Sequence, residues 1–257
     1  MAIVCKFGGT SMATAASIKK VAKILRADDT RTVCVVSAPG KTLEQTKVTD
    51  LLQSGDIQLV YTRFQDIITS LGLGADVHDY LDQQYVVRAQ SMHLPTRLSF
   101  GEHMSAYILA TLLHWRFVDA AEVIHFSSVG VTVHTPWYKG EKVVVPGFYG
   151  YNVQGNHIDT FMRGGSDITG AYVAAFTQAR AYENWTDVAG VYTADPHKVR
   201  NARPYTYLTY DELVTITKNG AAVFHPEAIT PIAHSGIPTI IKNTFAPRLA
   251  GTIILRP

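Results

Sequence analysis

Two rhythms of apolar residues alternate along the chain. Residues 3–7, Ile3-Val4-Cys5-Lys6-Phe7, form a short apolar run that predicts a buried strand. Gly8-Gly9-Thr10-Ser11 breaks it, and over 13–25 Ile18, Val21, Ala22 and Leu25 recur at helical spacing. A continuous β-branched run over 32–36 follows and stops at Ser37-Ala38-Pro39-Gly40. Strand, helix, strand in this order predicts a parallel sheet, because two parallel neighbours need a crossover long enough to hold a helix. Helical spacing then runs from Val48 to about Leu81 and resumes near Glu102. Further strands are predicted over 118–126, 129–133 and 142–146, then a helix over 168–179, a strand over 182–186, a helix over 210–218 and a last strand over 238–242. No repeat at a fixed period and no Ser/Gly linker interrupts the series, so the reading is one α/β unit with two lobes, about 1–150 and 151–257.

Composition narrows the class. The chain has 257 residues, 47% of them apolar, enough for a substantial core. Twenty-three Lys plus Arg against 21 Asp plus Glu give a formal charge of +2, too small to imply a nucleic-acid or membrane surface. The two cysteines, Cys5 and Cys34, sit inside apolar runs, where a free thiol behaves as a small hydrophobe. With no signal-peptide layout and no bilayer-length apolar stretch, the expectation is a cytoplasmic protein whose N-terminus is part of the fold.

Candidate chemistry concentrates in three turns. Lys6-Phe7-Gly8-Gly9-Thr10-Ser11 places a cation at a strand end and small residues where a helix begins, an arrangement that suits phosphate; by itself it is equally an ordinary glycine turn. Neither the dinucleotide fingerprint nor the P-loop pattern fits it. Arg163-Gly164-Gly165-Ser166-Asp167 stands before a second helix, offering a guanidinium fork and backbone amides, although Asp167 taken alone reads as a helix cap. Trp185-Thr186-Asp187-Val188-Ala189-Gly190-Val191-Tyr192-Thr193-Ala194-Asp195-Pro196 ends a strand in polar and aromatic groups, where nucleotides bind in open α/β sheets. Its plain alternative is a β-turn closed by Asp195-Pro196.

With Gly101-Glu102 and Gly220-Ala221-Ala222-Val223-Phe224-His225-Pro226, these turns occur in the order seen in aspartokinases, and the resemblance spans almost the whole chain. It implies the amino acid kinase superfamily and a three-layer α/β/α sandwich around a mostly parallel sheet. It further implies ATP-dependent phosphorylation of the side-chain carboxylate of aspartate, with Mg2+ entering beside ATP. By the same resemblance Lys6, Gly8, Gly9, Thr10 and Ser11 hold phosphates, and Thr186, Asp187, Tyr192, Asp195 and Lys198 surround the nucleotide. Glu102, read as lying at a helix start, takes the substrate ammonium; Arg163 takes a carboxylate; Thr49 and Ser166 contact substrate; Asp167 orients Lys6 or a metal-bound water. No protein metal ligand and no nucleic-acid partner is implied, and a homodimer is expected.

Three departures from the family pattern stand out. Phe161 and Met162 precede Arg163, where a glycine is usual, and would narrow the acceptor pocket. His197 and Ala222 replace cations, with Lys198 or Lys218 as substitutes. Ala250-Gly251-Thr252-Ile253-Ile254 resembles the end of the catalytic domain, which implies a chain without the regulatory ACT domains. Two alternatives stay open beside aspartate phosphorylation: a kinase for another amino acid or carboxylate, and a nucleotide-binding protein of low turnover.

Overall fold

A computed structural model describes residues 2–162, 164–194, 199–218 and 226–256. In chain order the strands are β1 (Ile3–Phe7), β2 (Arg31–Val36), β3 (Arg116–Phe117), β4 (Ile124–Ser127), β5 (Gly130–Val133), β6 (Val143–Pro146), β7 (Tyr149–Asn152), β8 (His157–Thr160), β9 (Ala181–Thr186), β10 (Tyr207–Thr209), β11 (Thr239–Asn243) and β12 (Thr252–Leu255). The helices are α1 (Ala15–Arg26), α2 (Val48–Ser54), α3 (Ile57–Leu71), α4 (Ala75–Gln84), α5 (Leu94–Leu113), α6 (Ala120–Val123), α7 (Gly165–Phe176), α8 (Tyr210–Lys218) and α9 (Pro226–Ser235). A 3-10 turn over Gly9–Met12 and a π-helical turn over Tyr85–Ala89 complete them.

Eight strands form one sheet in the order β10-β12-β11-β9-β1-β2-β6-β3, and β5-β4-β7-β8 form a smaller one. The large sheet is parallel from β11 to β3; β12 runs antiparallel to β11, and β10 runs parallel to β12. Alternation along the central strands builds two cores. Cys5, Phe7, Cys34 and Val36 pack with α1, α3 and α5 on one face, whereas Val4, Val33 and Val35 pack with α7 and α9 on the other. That is the expected α/β/α layering, and strands buried on both faces read as continuous apolar runs for this reason. β1 lies between β2 and β9, so the chain leaves it in both directions across the sheet. The crevice outside the carboxyl ends of such strands is the usual ligand position.

Two expectations need correction. The helix expected to begin near Glu102 starts at Leu94, with Pro95 in its first turn, so Glu102 lies in mid-helix and is not a helix-start carboxylate. The first turn of α5, Leu94 to Arg97, is only partly buried and the buried run begins at Leu98, so no single apolar stripe marks where the helix starts. Residues 118–126 are not one strand either. Asp119 caps the single turn α6, its side chain accepting from the Ala121 N–H at 2.9 Å, and β4 begins at Ile124.

A buried polar cluster on α5 was not foreseen. The Asp119 carboxylate accepts from Arg88 at 2.5 Å and from the Tyr149 hydroxyl at 2.9 Å, and the His103 Nδ1 lies 3.3 Å from it. The Tyr80 hydroxyl reaches the His103 Nε2 at 2.7 Å. These contacts tie α4, the π-helical turn, α5 and the smaller sheet together.

Candidate active site

The register of β1 and β9 creates the first part of the site. Lys6 and Asn184 are paired across these parallel strands, so their side chains leave the same face. Both meet Asp167 in the first turn of α7: the Lys6 Nζ lies 2.7 Å from the Asp167 Oδ1, and the Asn184 Nδ2 donates to the same oxygen at 3.0 Å. Lys6 and Asn184 are buried, which makes each of these contacts worth more than on a wet surface.

The turn after β1 supplies backbone donors. Gly8 donates its N–H to Trp185 and Ser11 donates to Gly8, which leaves the N–H groups of Gly9 and Thr10 at the start of the 3-10 turn for an anion. Gly40, after β2, donates to Gly9 O at 2.8 Å. A Cβ at Gly40 would fall 2.6 Å from the Gly9 carbonyl carbon, so only glycine permits this approach of the two loops. The buried guanidinium of Arg63 donates to the carbonyls of Gly40, Ala13 and Thr46 at 2.6, 3.0 and 2.7 Å, fixing the loop that leads into α2.

Helix α5 brings in Glu102 because Gly101 lets it slide under that loop; a Cβ there would lie 2.7 Å from the Ala38 Cβ. Glu102 is only 4% exposed and its Oε2 has no hydrogen-bond partner among the described residues. Burial pushes its pKa up to about 7, although the Ala38 backbone N–H and the charges of Lys47 and Lys6 pull the other way.

Lys6, Gly9, Thr49, Glu102, Ser166 and Asp167, all expected to serve the site, line one cleft of about 620 Å³. Thr49 comes from the first turn of α2 and Ser166 from that of α7. Beside the cleft, Asp187 at the end of β9 accepts from the hydroxyls of Thr10 and Thr186, each at 3.1 Å. Ser11 is fully buried and spends its hydroxyl on Thr244 at 2.7 Å, so it braces the turn from beneath. Tyr192 is half-buried and bridged to Pro204, apart from the cleft lining. Arg163, Asp195, Lys198, His197 and Ala222 lie outside the described residues, as does the side chain of Lys218.

Phe161 does not narrow the acceptor cleft as expected. It packs edge-on against Phe126, centroids 4.9 Å apart, and stacks with Tyr172 within the core beneath α7. Met162 does reach the cleft, at its exposed rim, and Phe148 also lines it. The sequence reading missed Asn184, Ser37, Lys47 and Phe148. Lys47 could have been found as the cation two residues before Thr49, whereas Asn184 becomes visible only through strand register.

The amino acid kinase family model matches residues 1–243. Aspartokinase 3 of Bacillus subtilis is 33% identical over 98% of this chain and 63% of its own length, and Aspartokinase 1, chloroplastic, of Arabidopsis thaliana is 29% identical over 98% of this chain and 52% of its own. The crystal structure of Clostridium acetobutylicum aspartate kinase superposes with a TM-score of 0.88 at 37% identity, covering 99% of this chain and 63% of that one. E. coli aspartokinase III, solved with aspartate and ADP, shares the fold at a TM-score of 0.85 and 24% identity, covering 100% of this chain and 65% of that one. The chain thus spans less than two thirds of the length of these relatives. Among the described residues no helix is long and apolar enough to cross a membrane. Taken with the cleft at the carboxyl edge of the sheet, the match over residues 1–243 establishes that this chain belongs to the amino acid kinase family.

Proposed function

We propose that this chain transfers the γ-phosphoryl group of ATP to the side-chain carboxylate of aspartate, giving an acyl phosphate. The observation that carries this reading is the facing of Glu102, a buried carboxylate with an unpartnered oxygen, and Lys6, a buried cation, across one cleft. An anion nucleophile needs no general base, so the protein's work is in-line positioning and cancellation of phosphate charge. Lys6, released in part from Asp167, neutralises the phosphoryl oxygens, and the Gly9 and Thr10 amides with the N-terminus of α7 complete the cradle. Asp167 holds Lys6 in place, and Asn184 holds Asp167. Glu102 receives the acceptor ammonium, Thr49 and Ser166 border it, and Arg163 takes its α-carboxylate. Thr186, Asp187, Tyr192, Asp195 and Lys198 form the nucleotide side. In terms of the two lobes, residues 1–150 carry most of the acceptor side and 151–257 the nucleotide side, with Gly164–Asp167 reaching across. Likeness to the Bacillus and Clostridium enzymes supports aspartate as the acceptor.

Mg2+ entering with ATP would supply positive charge that offsets the charge of the phosphates. Among the described residues no group of three or more His, Cys, Asp or Glu gathers to cage an ion. Asp167 makes both of its contacts here through Oδ1, so its second oxygen fits a hydrated cation carried in by the nucleotide. A cytoplasmic homodimer remains part of this reading.

The test is a panel of amino acids and carboxylates incubated with ATP and hydroxylamine, which captures acyl phosphates as hydroxamates. Aspartate should give product, and succinate, lacking the ammonium, should lose roughly 1–3 kcal/mol in kcat/KM because Glu102 stays unpaired. Glutamate should react poorly, its longer chain pressing the carboxylate toward Phe148 and Met162. Glu102→Gln should erase most of the aspartate-to-succinate ratio; an unchanged ratio removes Glu102 from ammonium binding.

The same residue sets a pH dependence. Below about pH 7 Glu102 takes up a proton in the free protein and loses its attraction for an ammonium, so kcat/KM for aspartate should rise with pH through that value. Glu102→Gln should flatten that limb. A limb that survives in the variant assigns it to another group.

A further inference from the structure

We propose that Lys47 is a specificity-determining residue of the acceptor pocket: its ammonium pairs with a carboxylate of a dicarboxylic amino-acid acceptor, on the wall of the cleft that carries Glu102 and Thr49. This rests on the reading of the cleft as an acceptor site and deepens it by adding a recognition charge beside Glu102 and Arg163.

Three observations carry it. Lys47 lines the same cleft as Glu102, Lys6 and Asp167. Its backbone is held in place: its carbonyl accepts the N–H groups of Asp50 and Leu51 at 3.1 and 3.2 Å, and Arg63 grips the preceding carbonyl, that of Thr46, at 2.7 Å. Its side chain, by contrast, is exposed and makes neither an ion pair nor a hydrogen bond among the described residues. Lys6 differs, being committed to Asp167. A cation fixed at its root, uncommitted at its tip and open to a cleft is available to a ligand anion.

The charge balance of the cleft makes such a partner useful. Its charged lining among the described residues is Lys6, Lys47, Asp50, Glu102 and Asp167. His103, next to Glu102 on α5, turns away to Asp119 and Tyr149. With Lys6 spent on Asp167 and the phosphates, and Arg163 assigned above to the α-carboxylate, the second carboxylate of the acceptor still approaches Asp50, Glu102 and Asp167. Lys47 offsets that repulsion, and it is the largest charged contributor to keeping Glu102 ionised, ahead of Lys6. Position 47 precedes α2 without a side-chain cap hydrogen bond, so replacing it disturbs no helix cap.

The experiment compares wild type with Lys47→Met, Lys47→Arg and Lys47→Glu in steady-state kinetics with aspartate and ATP varied separately, across pH. Lys47→Met should raise KM for aspartate about tenfold, the size of a lost charge-assisted contact at a cleft edge, with kcat and KM for ATP within about twofold. Lys47→Arg should recover most of the loss and Lys47→Glu should be worse than Met. The acid limb of kcat/KM should move to higher pH in Lys47→Met, because loss of a neighbouring cation favours protonated Glu102. An unchanged KM for aspartate overturns the proposal. So does a matching rise in KM for ATP, which would give the cation to the phosphates. An active wild type with an indifferent Lys47→Met sinks only Lys47, whereas a wild type that turns over a monocarboxylate instead of aspartate sinks the aspartate reading and Lys47 with it.

Discussion

Replacing Lys6 by Ala should lower kcat by a factor on the order of a hundred or more, the usual cost of removing one preorganised donor from a developing charge. The size follows from where the ammonium sits. Lys6 is 7% exposed, so its field is weakly screened by solvent, and the turn that follows it leaves room for phosphate oxygens. KM for ATP should change less than kcat, because the Gly9 and Thr10 amides and the N-terminus of α7 remain. Lys6→Arg should not restore the rate. The guanidinium is broader than the ammonium, and the buried Lys6 Nζ already sits 2.7 Å from the Asp167 Oδ1. Steady-state rates on variants that keep the wild-type circular dichroism and melting profile decide the matter. Turnover near that of wild type in Lys6→Ala would take Lys6 out of the mechanism.

Asp119→Ala should be the most destabilising of these changes, by about 3–5 kcal/mol, since it leaves the Arg88 guanidinium buried without its anion. For a chain of this size that is a fall in Tm on the order of 10 °C. Burial opposes the charged form of Asp119, yet the hydrogen bond from His103 and the charges of Arg88 and His103 more than offset it and hold its pKa well below the usual carboxylate range. A depressed folded-state pKa gives stability that is complete above the ordinary aspartate value of about 3.9 and is lost as pH falls through the folded value. His103 works in the same direction from a higher starting point. Burial lowers its pKa, so from about pH 6.5 downward the unfolded chain gains a proton that the folded chain refuses. Denaturant melts of wild type and Asp119→Asn between pH 7 and roughly 3 measure both. Parallel curves would show that the cluster carries no such linkage. Because His103 adjoins Glu102 on α5, Asp119→Ala should also raise KM for aspartate in whatever fraction remains folded.

The alternation of strands and helices, the layered α/β architecture and the Lys6 and Gly164–Asp167 turns were legible in the sequence, because each rests on local chemistry, whereas β8, β10, α9 and β12 were not read from it. Period-two and helical patterns, glycines at strand ends and a lysine before them keep their meaning in any surroundings. β1, β2, β9, α8 and β11 were foreseen to within about a residue at either end for that reason. Where an element is buried around most of its circumference, as α5 is from Leu98 onward, the apolar stripe loses its contrast, so the sequence places the start of α5 eight residues late and makes Glu102 a helix-start carboxylate, which it is not. The one-turn helix α6 was hidden for a different reason: its signal is a single capping Asp119 among residues that also suit a strand. Phe161 looked like a pocket wall from its place beside Arg163, but the direction of a side chain at a loop end depends on what the neighbouring sheet offers, here Phe126 and Tyr172. Only the tertiary structure could pair Asn184 with Lys6, since strand register joins residues 178 positions apart. Likewise only the approach of α5 under the 37–40 loop, permitted by Gly101, could strip Glu102 of water and lift its pKa toward neutrality. Sequence thus determined which charges the protein owns and which turns can receive an anion, while packing decided which of those charges are dry, which are already paired, and which remain free for a substrate.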